Sequence, residues 1–271
     1  MRNGIPAVGG DWKSLVGSRF HSLGSVEEVI GAGPAAQTID ALAKGLPRRD
    51  VELPEQSAQR VPALVSGDLK VRGSFAVSAP LLITGSLEVE GLLLTAEGSR
   101  LTVLGDVRAH AISADNPFRV AGTVDVSGVL VAQTSIDAAR VRAVLPLGDG
   151  YAGPVAAAFD GRGDLDDLRS ELGEALIGVD FEDERAWLDV EALLEAVLDR
   201  KPIFQWPGGK PGEDLRWLLS WLETPGAVPE LVDALVRREL GLDDAELRVA
   251  KDWCLEQSGL SPSAQAYLGS A

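Results

Sequence analysis

The chain has 271 residues, of which 45% are apolar, with a net charge of −16 and a single cysteine, Cys254. A sizeable core can be buried, no disulfide can close within the chain, and the lone thiol fits a reducing cytosol. No apolar run approaches the ~20 residues that span a bilayer, and the opening MRNGIPAVGGDWK lacks the apolar stretch of a secretory signal, so a soluble cytoplasmic protein is expected. The charge is unevenly placed. Residues 151–271 carry 25 acids and 11 bases, a net −14, whereas residues 1–150 carry 16 acids and 14 bases, a net −2. An acidic field of this kind repels nucleic acid and anionic lipid and attracts basic proteins.

Residues 1–60 read as a glycine-rich N-terminal cap with two short helices, near 25–30 and 35–45. VIGAGPAA at 29–36 has the G-x-G-x-x-A spacing of a dinucleotide-binding turn, and Glu52 lies where such a turn wants a ribose-binding acid. The preceding SVEEVI puts Glu27 and Glu28 where a buried parallel strand is apolar, and no second βαβ unit follows. A glycine-rich turn between helices is the simpler reading.

From 61 to 147 the chain repeats itself. GDLKVRG (67–73), GSLEVEG (85–91), GDVRAHA (105–111) and GTVDVSG (122–128) recur at spacings of 17 to 20 residues. Apolar residues alternate on both sides of the first glycine, as in Leu81, Ile83, Leu87 and Val89. Period-two alternation places them on one face of short strands, and a fixed repeat of this length marks a solenoid. The reading is a single-stranded β-helix of about 17–20 residues per coil, with glycine at a corner because it accepts backbone angles that other residues avoid. Lys70, Glu88, Arg108 and Asp125 hold the same outward position in successive coils with alternating sign, so they are expected to stack in one file.

The G-[DST]-[LV]-x-[VA]-x-[GA] phrase and the coil length resemble the bactofilins, polymer-forming cytoskeletal proteins of bacteria, over about residues 61–145. That resemblance implies a right-handed β-helix and self-association through the coil ends. Family members have short tails, whereas here a long acidic segment follows the repeats.

GDGYAGP (148–154) reads as a linker. Residues 155–271 then read as an acidic α-helical domain, a small bundle. Asp164 is placed to cap a helix through LDDLRSELGEAL. Trp187, Val190, Leu194 and Val197 share a helical face over 185–199. Leu215, Leu218, Leu219 and Leu222 share another; Leu231, Leu235 and Val236, then Leu247, Ala250 and Cys254, mark two more. The whole is of mixed β and α class.

Little in the chain suggests catalysis. The only histidines are His21 and His110, which with the single Cys254 nearly excludes zinc sites built on histidine and cysteine. DGRGDLDDLRSE (160–171) misses a calcium loop at its third and sixth places, and GGKPGE (208–213) has Pro211 where a phosphate loop needs serine or threonine. No enzyme activity, cofactor or metal is expected, and no direct binding of nucleic acid or membrane. The expected partner is a basic protein, engaged through carboxylates near the tryptophans: Asp183, Glu184, Glu213, Asp214 and Glu223, with Trp187, Trp206, Trp217 and Trp221. One form is an immunity or antitoxin-type inhibitor whose acids occlude the cationic site of a nucleic-acid-acting toxin. The alternative is a bactofilin-like self-assembling scaffold.

Overall fold

A computed structural model of the chain describes residues 48, 50–54, 57–60, 63–148, 150–158, 162, 172, 176–179, 186–199, 201, 203–204, 211–221, 229–257 and 259–269. These residues fall into two compact units. The first comprises the chain up to Val126 with Ala132–Arg142 and Asp149–Val155; the second comprises Ser127–Val131, Ala143–Gly148 and the chain from Ala156 onward.

A parallel β-solenoid of about six turns spans residues 51–157; its earlier turns belong to the first unit, and Ser127–Val131 and Ala143–Gly148 of its later turns fall in the second. Its strands are β1 (Val51–Leu53), β2 (Ser57–Gln59), β3 (Ala63–Val65), β4 (Leu69–Val71), β5 (Phe75–Val77), β6 (Pro80–Ile83), β7 (Leu87–Thr95), β8 (Arg100–Val103), β9 (Val107–Ala114), β10 (Phe118–Ala132), β11 (Ile136–Leu147) and β12 (Val155–Ala157). The strands pair in parallel, each pairing joining one turn to the next. Three ladders result. In the first, β1 pairs with β4, β4 with the start of β7, and that with the start of β9. In the second, β2 pairs with β5, β5 with the end of β7, and that with the end of β9. In the third, β3 pairs with β6, β6 with β8, and β8 with the start of β10.

The inward side chains of the ladders form the core. Leu69, Val71, Leu87, Val89, Leu101 and Val103 are all at most 2% exposed. The solenoid begins at Val51, ahead of the expected 61, and β12 pairs with β11 beyond the expected 147. The residues expected to be a linker close a further corner. Ile136 N–H donates to Gly150 O at 2.5 Å, Ala152 N–H to Ile136 O at 3.0 Å, and Val141 N–H to Pro154 O at 2.9 Å.

The repeated phrase has a physical cause at the corner after each first glycine. The Asp68 Oδ1 accepts from Ser86 N–H at 2.8 Å, Ser86 Oγ from Asp106 N–H at 3.1 Å, and Asp106 Oδ1 from Thr123 N–H at 2.8 Å. Asp50 Oδ1 does the same for Asp68 N–H at 3.0 Å. Each short polar side chain thus satisfies an amide of the next turn, which would otherwise be an orphan at the bend. These oxygens sit where a neighbouring Cβ would go. A Cβ at Gly85 would lie 2.1 Å from Asp68 Oδ1, and one at Gly122 would lie 2.2 Å from Asp106 Oδ1. Neither glycine has a positive φ; among the described residues those with one are Gly98, Gly148, Gly241 and Gly259. The repeat glycines are therefore required by close stacking, and the backbone-angle reason given above does not apply to them.

In the second unit, β13 (Ile177–Val179) and β14 (Ala186–Leu188) form an antiparallel pair. Helices α1 (Val190–Leu198), α2 (Pro211–Trp221), α3 (Pro229–Leu240), α4 (Asp244–Leu255) and α5 (Pro262–Leu268) follow. The expected 185–199 helix is shorter than its apolar spacing implies. Trp187 is in β14, and Asp189 caps α1 by accepting from Ala192 N–H at 3.0 Å. The stripes Leu215/Leu218/Leu219, Leu231/Leu235/Val236 and Leu247/Ala250/Cys254 are all buried. Helix α2 packs on α3 and α4, and α4 on α5. The caps are strong: Asp243 and Glu246 form a capping box on α4, and Ser261 caps α5. Leu222 and Asp164 lie outside the described residues, and so does most of the expected LDDLRSELGEAL helix, of which Leu172 is placed in an antiparallel bridge to Phe204.

Candidate functional site

The outward file of the first ladder follows the expected order and extends it. Glu52 pairs in register with Lys70, Lys70 with Glu88, and Glu88 with Arg108. The corner bond from Gly122 N–H to Gly105 O carries the same offset that relates Asp125 to Arg108. Lys70 Nζ lies 2.8 Å from Glu88 and 3.2 Å from Glu90, Arg72 pairs with Glu52, and Arg142 lies 3.6 Å from Asp125. The Glu88 and Glu90 carboxylates hold the Lys70 ammonium above its usual range.

The expected partner-binding residues divide into three groups. Asp183, Glu184, Trp206 and Glu223 lie outside the described residues, as do His21, the VIGAGPAA turn and all but Arg162 of the 160–171 segment. Trp187 is placed in β14, and Trp217 and Trp221 in α2. Glu213 and Asp214 open α2, where carboxylates complement the positive end of a helix. Glu213 is exposed. Asp214 is half-buried, its Oδ1 accepts no hydrogen bond among the described residues, and burial, then the neighbouring Glu213, push its carboxyl up.

A surface the sequence reading passed over lies on α4. Leu247, Ala250, Lys251 and Cys254 face inward, and the opposite side carries Val249 and Leu255, 69% and 47% exposed. Asp252 and Glu256 stand on that same side and are exposed. Asp252 and Glu256, three and seven residues on, share the face of Val249, whereas Leu255 lies about a third of a turn round the helix from it, beside exposed Arg248. The signal was present as an interruption of the Leu247/Ala250/Cys254 stripe by off-stripe apolar residues.

Three internal polar groups stabilise the helices. Glu239 is 4% exposed. Its Oε2 accepts from Ile203 N–H at 2.7 Å and Phe204 N–H at 3.0 Å, and its Oε1 accepts from Arg238 Nε at 2.7 Å. Burial pushes the carboxyl up, against the opposing pull of Arg238 and the two amides. Lys251 lies 2.8 Å from Asp233 Oδ1 and 4.2 Å above the Tyr267 ring, while Tyr267 O–H donates to the same Asp233 oxygen at 2.7 Å. That cluster joins α3, α4 and α5. Cys254 Sγ donates to Gly212 O at 3.1 Å, and burial raises its thiol to about 11, so it is inert at neutral pH. Gly212 lies against the Trp253 indole so closely that a Cβ there would be 2.5 Å from Cε3. Trp253 therefore serves the contact between α2 and α4.

Among the described residues no group of three His, Cys, Asp or Glu is placed to hold a metal ion, and no helix is long and apolar enough to cross a membrane. Compared with known protein families, curated proteins and solved structures, the chain matches none.

Proposed function

We propose that this chain is a non-catalytic protein-binding protein, in which a right-handed single-stranded β-helix carries an acidic helical bundle that engages a basic partner. The observation that carries the reading is the outer side of α4. Two exposed apolar side chains, Val249 and Leu255, are flanked by Asp252 and Glu256, within a segment of net charge −14. An apolar centre with an acidic rim suits a partner whose own rim is basic. In its most specific form the partner is a nucleic-acid-acting toxin and this chain is its immunity protein, the carboxylates standing in for phosphates. Its place of work on this reading is the cytoplasm.

The test is capture from native lysate with the full chain as bait, at low and high salt. A basic protein held at low salt, released at high salt, and lost with Asp252→Lys/Glu256→Lys supports the reading. Capture indifferent to salt and to that charge reversal sinks it.

A second reading, a bactofilin-like self-assembling scaffold, draws on the regular parallel ladders, whose terminal turns can template further strands. Sedimentation and negative-stain microscopy separate the two: filaments support the scaffold, and a discrete species supports the binding protein.

A further inference from the structure

The outward residues of the first ladder form ordered files on one face of the first unit. The central file runs Glu52, Lys70, Glu88, Arg108, Asp125, Arg142. Strand register joins the first four, and Arg142 lies 3.6 Å from Asp125. All six reach solvent: Glu52, Glu88 and Arg108 are exposed, and the other three half-exposed. Two residues before it, at the corner, run Asp50, Asp68, Ser86, Asp106 and Thr123, joined turn to turn by side chains that accept amides. Arg140 stands one repeat further on. Two residues after the central file, Glu90 and His110 stand one position beyond the Val89–Ala109 register.

An alternating file of even length has its signs reversed when read backwards. Turned end for end, the central file sets Glu52 against Arg142, Lys70 against Asp125, and Glu88 against Arg108. A two-fold axis running along the strands, between the turns of Glu88 and Arg108, does this for two copies of the chain. The same axis lays each flanking file over its own reverse. Asp50 then meets Arg140, Asp68 meets Thr123, Ser86 meets Asp106, and Glu90 meets His110. No like charges meet in these files. Two copies running the same way in register would instead set every charge of the central file against its own duplicate, which is repulsive at all six positions.

We infer that this face is a self-association surface, and that its partner is a second copy of the chain docked antiparallel. Within one chain the charges already pair along the file, as Lys70 does with Glu88 and Arg142 with Asp125. Docking gives each of them a further opposite neighbour across the interface. The contact is isologous, so it closes at two copies. Six turns at ~4.8 Å and five residues at ~3.3 Å give a face on the order of 500 Å², less than the ~800 Å² per partner of a standard stable interface. It also has no apolar centre. The dimer is therefore weak, and salt dissolves it. Helix α4 takes no part in it.

Sedimentation of the full chain across a dilution series tests this. A reversible monomer–dimer equilibrium is expected at ~0.02 M salt, and monomer alone at ~1 M, where charges are screened within a few ångströms. Lys70→Glu sets two acids together at the Lys70–Asp125 contact, and Asp125→Lys sets two bases together. Each clash occurs twice by symmetry, so each variant should dimerise at least about tenfold more weakly than wild type. Mixed in equal amounts, the two variants should form a heterodimer within about threefold of the wild-type affinity, since every such contact then joins an acid to a base. Lys70 and Asp125 stand three turns apart in one chain, ~14 Å, so no contact within a chain imitates that rescue. A wild-type chain that stays monomeric at low salt overturns the inference. So does a dimer or filament that both variants leave intact, or a mixture that fails to recover association. Should either variant lose its β-sheet circular dichroism, Glu88→Arg and Arg108→Glu make the same test at the centre of the face, with the same outcomes expected and the same ones fatal.

Discussion

The solenoid and the helices handle charge in opposite ways. On the solenoid's first ladder the ionic groups stand outside in a file, half-exposed, and the interior is apolar; the polar work is done at the corners by short side chains accepting amides from the next turn. Among the helices, two ionic groups are inside. Glu239 and Lys251 are 4% and 6% exposed, and each ties segments distant in sequence. A repeated architecture can satisfy its polar groups locally, one turn at a time. A non-repeated one has to satisfy them with long-range side chains, and those are the costly ones to remove.

The largest effect is therefore expected at Glu239. Glu239→Ala strands two buried amides and leaves Arg238 without its counter-ion, a loss of about 3–5 kcal/mol by denaturant titration. The same carboxyl gives a pH signature. Its folded value is raised by burial, so the folded chain binds this proton more tightly than the unfolded chain. Stability from this group is present below the ordinary carboxylate value and falls as pH rises through the raised one. Glu239→Gln, which has no proton to lose, should show a flatter profile over that window. Parallel profiles would mean that Arg238 and the amides outweigh burial.

Next comes the close stacking of the turns. Gly85→Ala must displace Asp68 Oδ1 and the Gly67 carbonyl, 2.1 and 2.6 Å from the new Cβ, and should cost about 1–3 kcal/mol as overpacking does. Gly98→Ala, where nothing lies within 4 Å but φ is +81°, isolates the backbone contribution. If the second costs more than the first, conformation rather than stacking governs glycine in this solenoid.

This contrast also explains what was legible. The period, the inward file and the alternating outward signs were readable because each turn repeats its neighbour's contacts. The first turn was missed because Arg49 and Glu55 stand, one repeat back, where Gly67 and Gly73 carry the phrase; only Asp50, Val51 and Leu53 keep to it. The end was missed likewise, Ala139 and Arg140 replacing the glycine and its polar neighbour. In the helical part, Trp187 and Val190 have helical spacing by coincidence across a strand and a cap. Glu239 and Lys251 read as solvated charges because nothing local distinguishes them; their partners lie 36 and 18 residues away. Of the candidate surface, the acidic surplus was visible in the sequence, and the α4 side that concentrates it with Val249 and Leu255 was not.

Tyr267 offers a smaller test on the helical side. Tyr267→Phe removes one hydrogen bond to Asp233 but keeps the ring under Lys251, so about 1 kcal/mol is expected by denaturant titration. Tyr267→Leu removes both and should cost more. Equal losses would leave the Lys251–ring contact without effect.

The smallest effect belongs to the charged file, and its form separates a file from a set of pairs. Lys70→Glu sets an acid between Glu52 and Glu88 and should lower the melting midpoint slightly at low salt. For an isolated pair, adding Glu88→Lys would restore it. Here the swap moves the clash outward: an acid now faces Glu52 and a base faces Arg108. The double swap should therefore stay below wild type. At ~1 M salt, where screening acts within about 3 Å, the three proteins should converge. Full recovery in the double swap at low salt would show that Lys70 and Glu88 act as a pair, and that the alternation above and below them contributes nothing to the register of the turns.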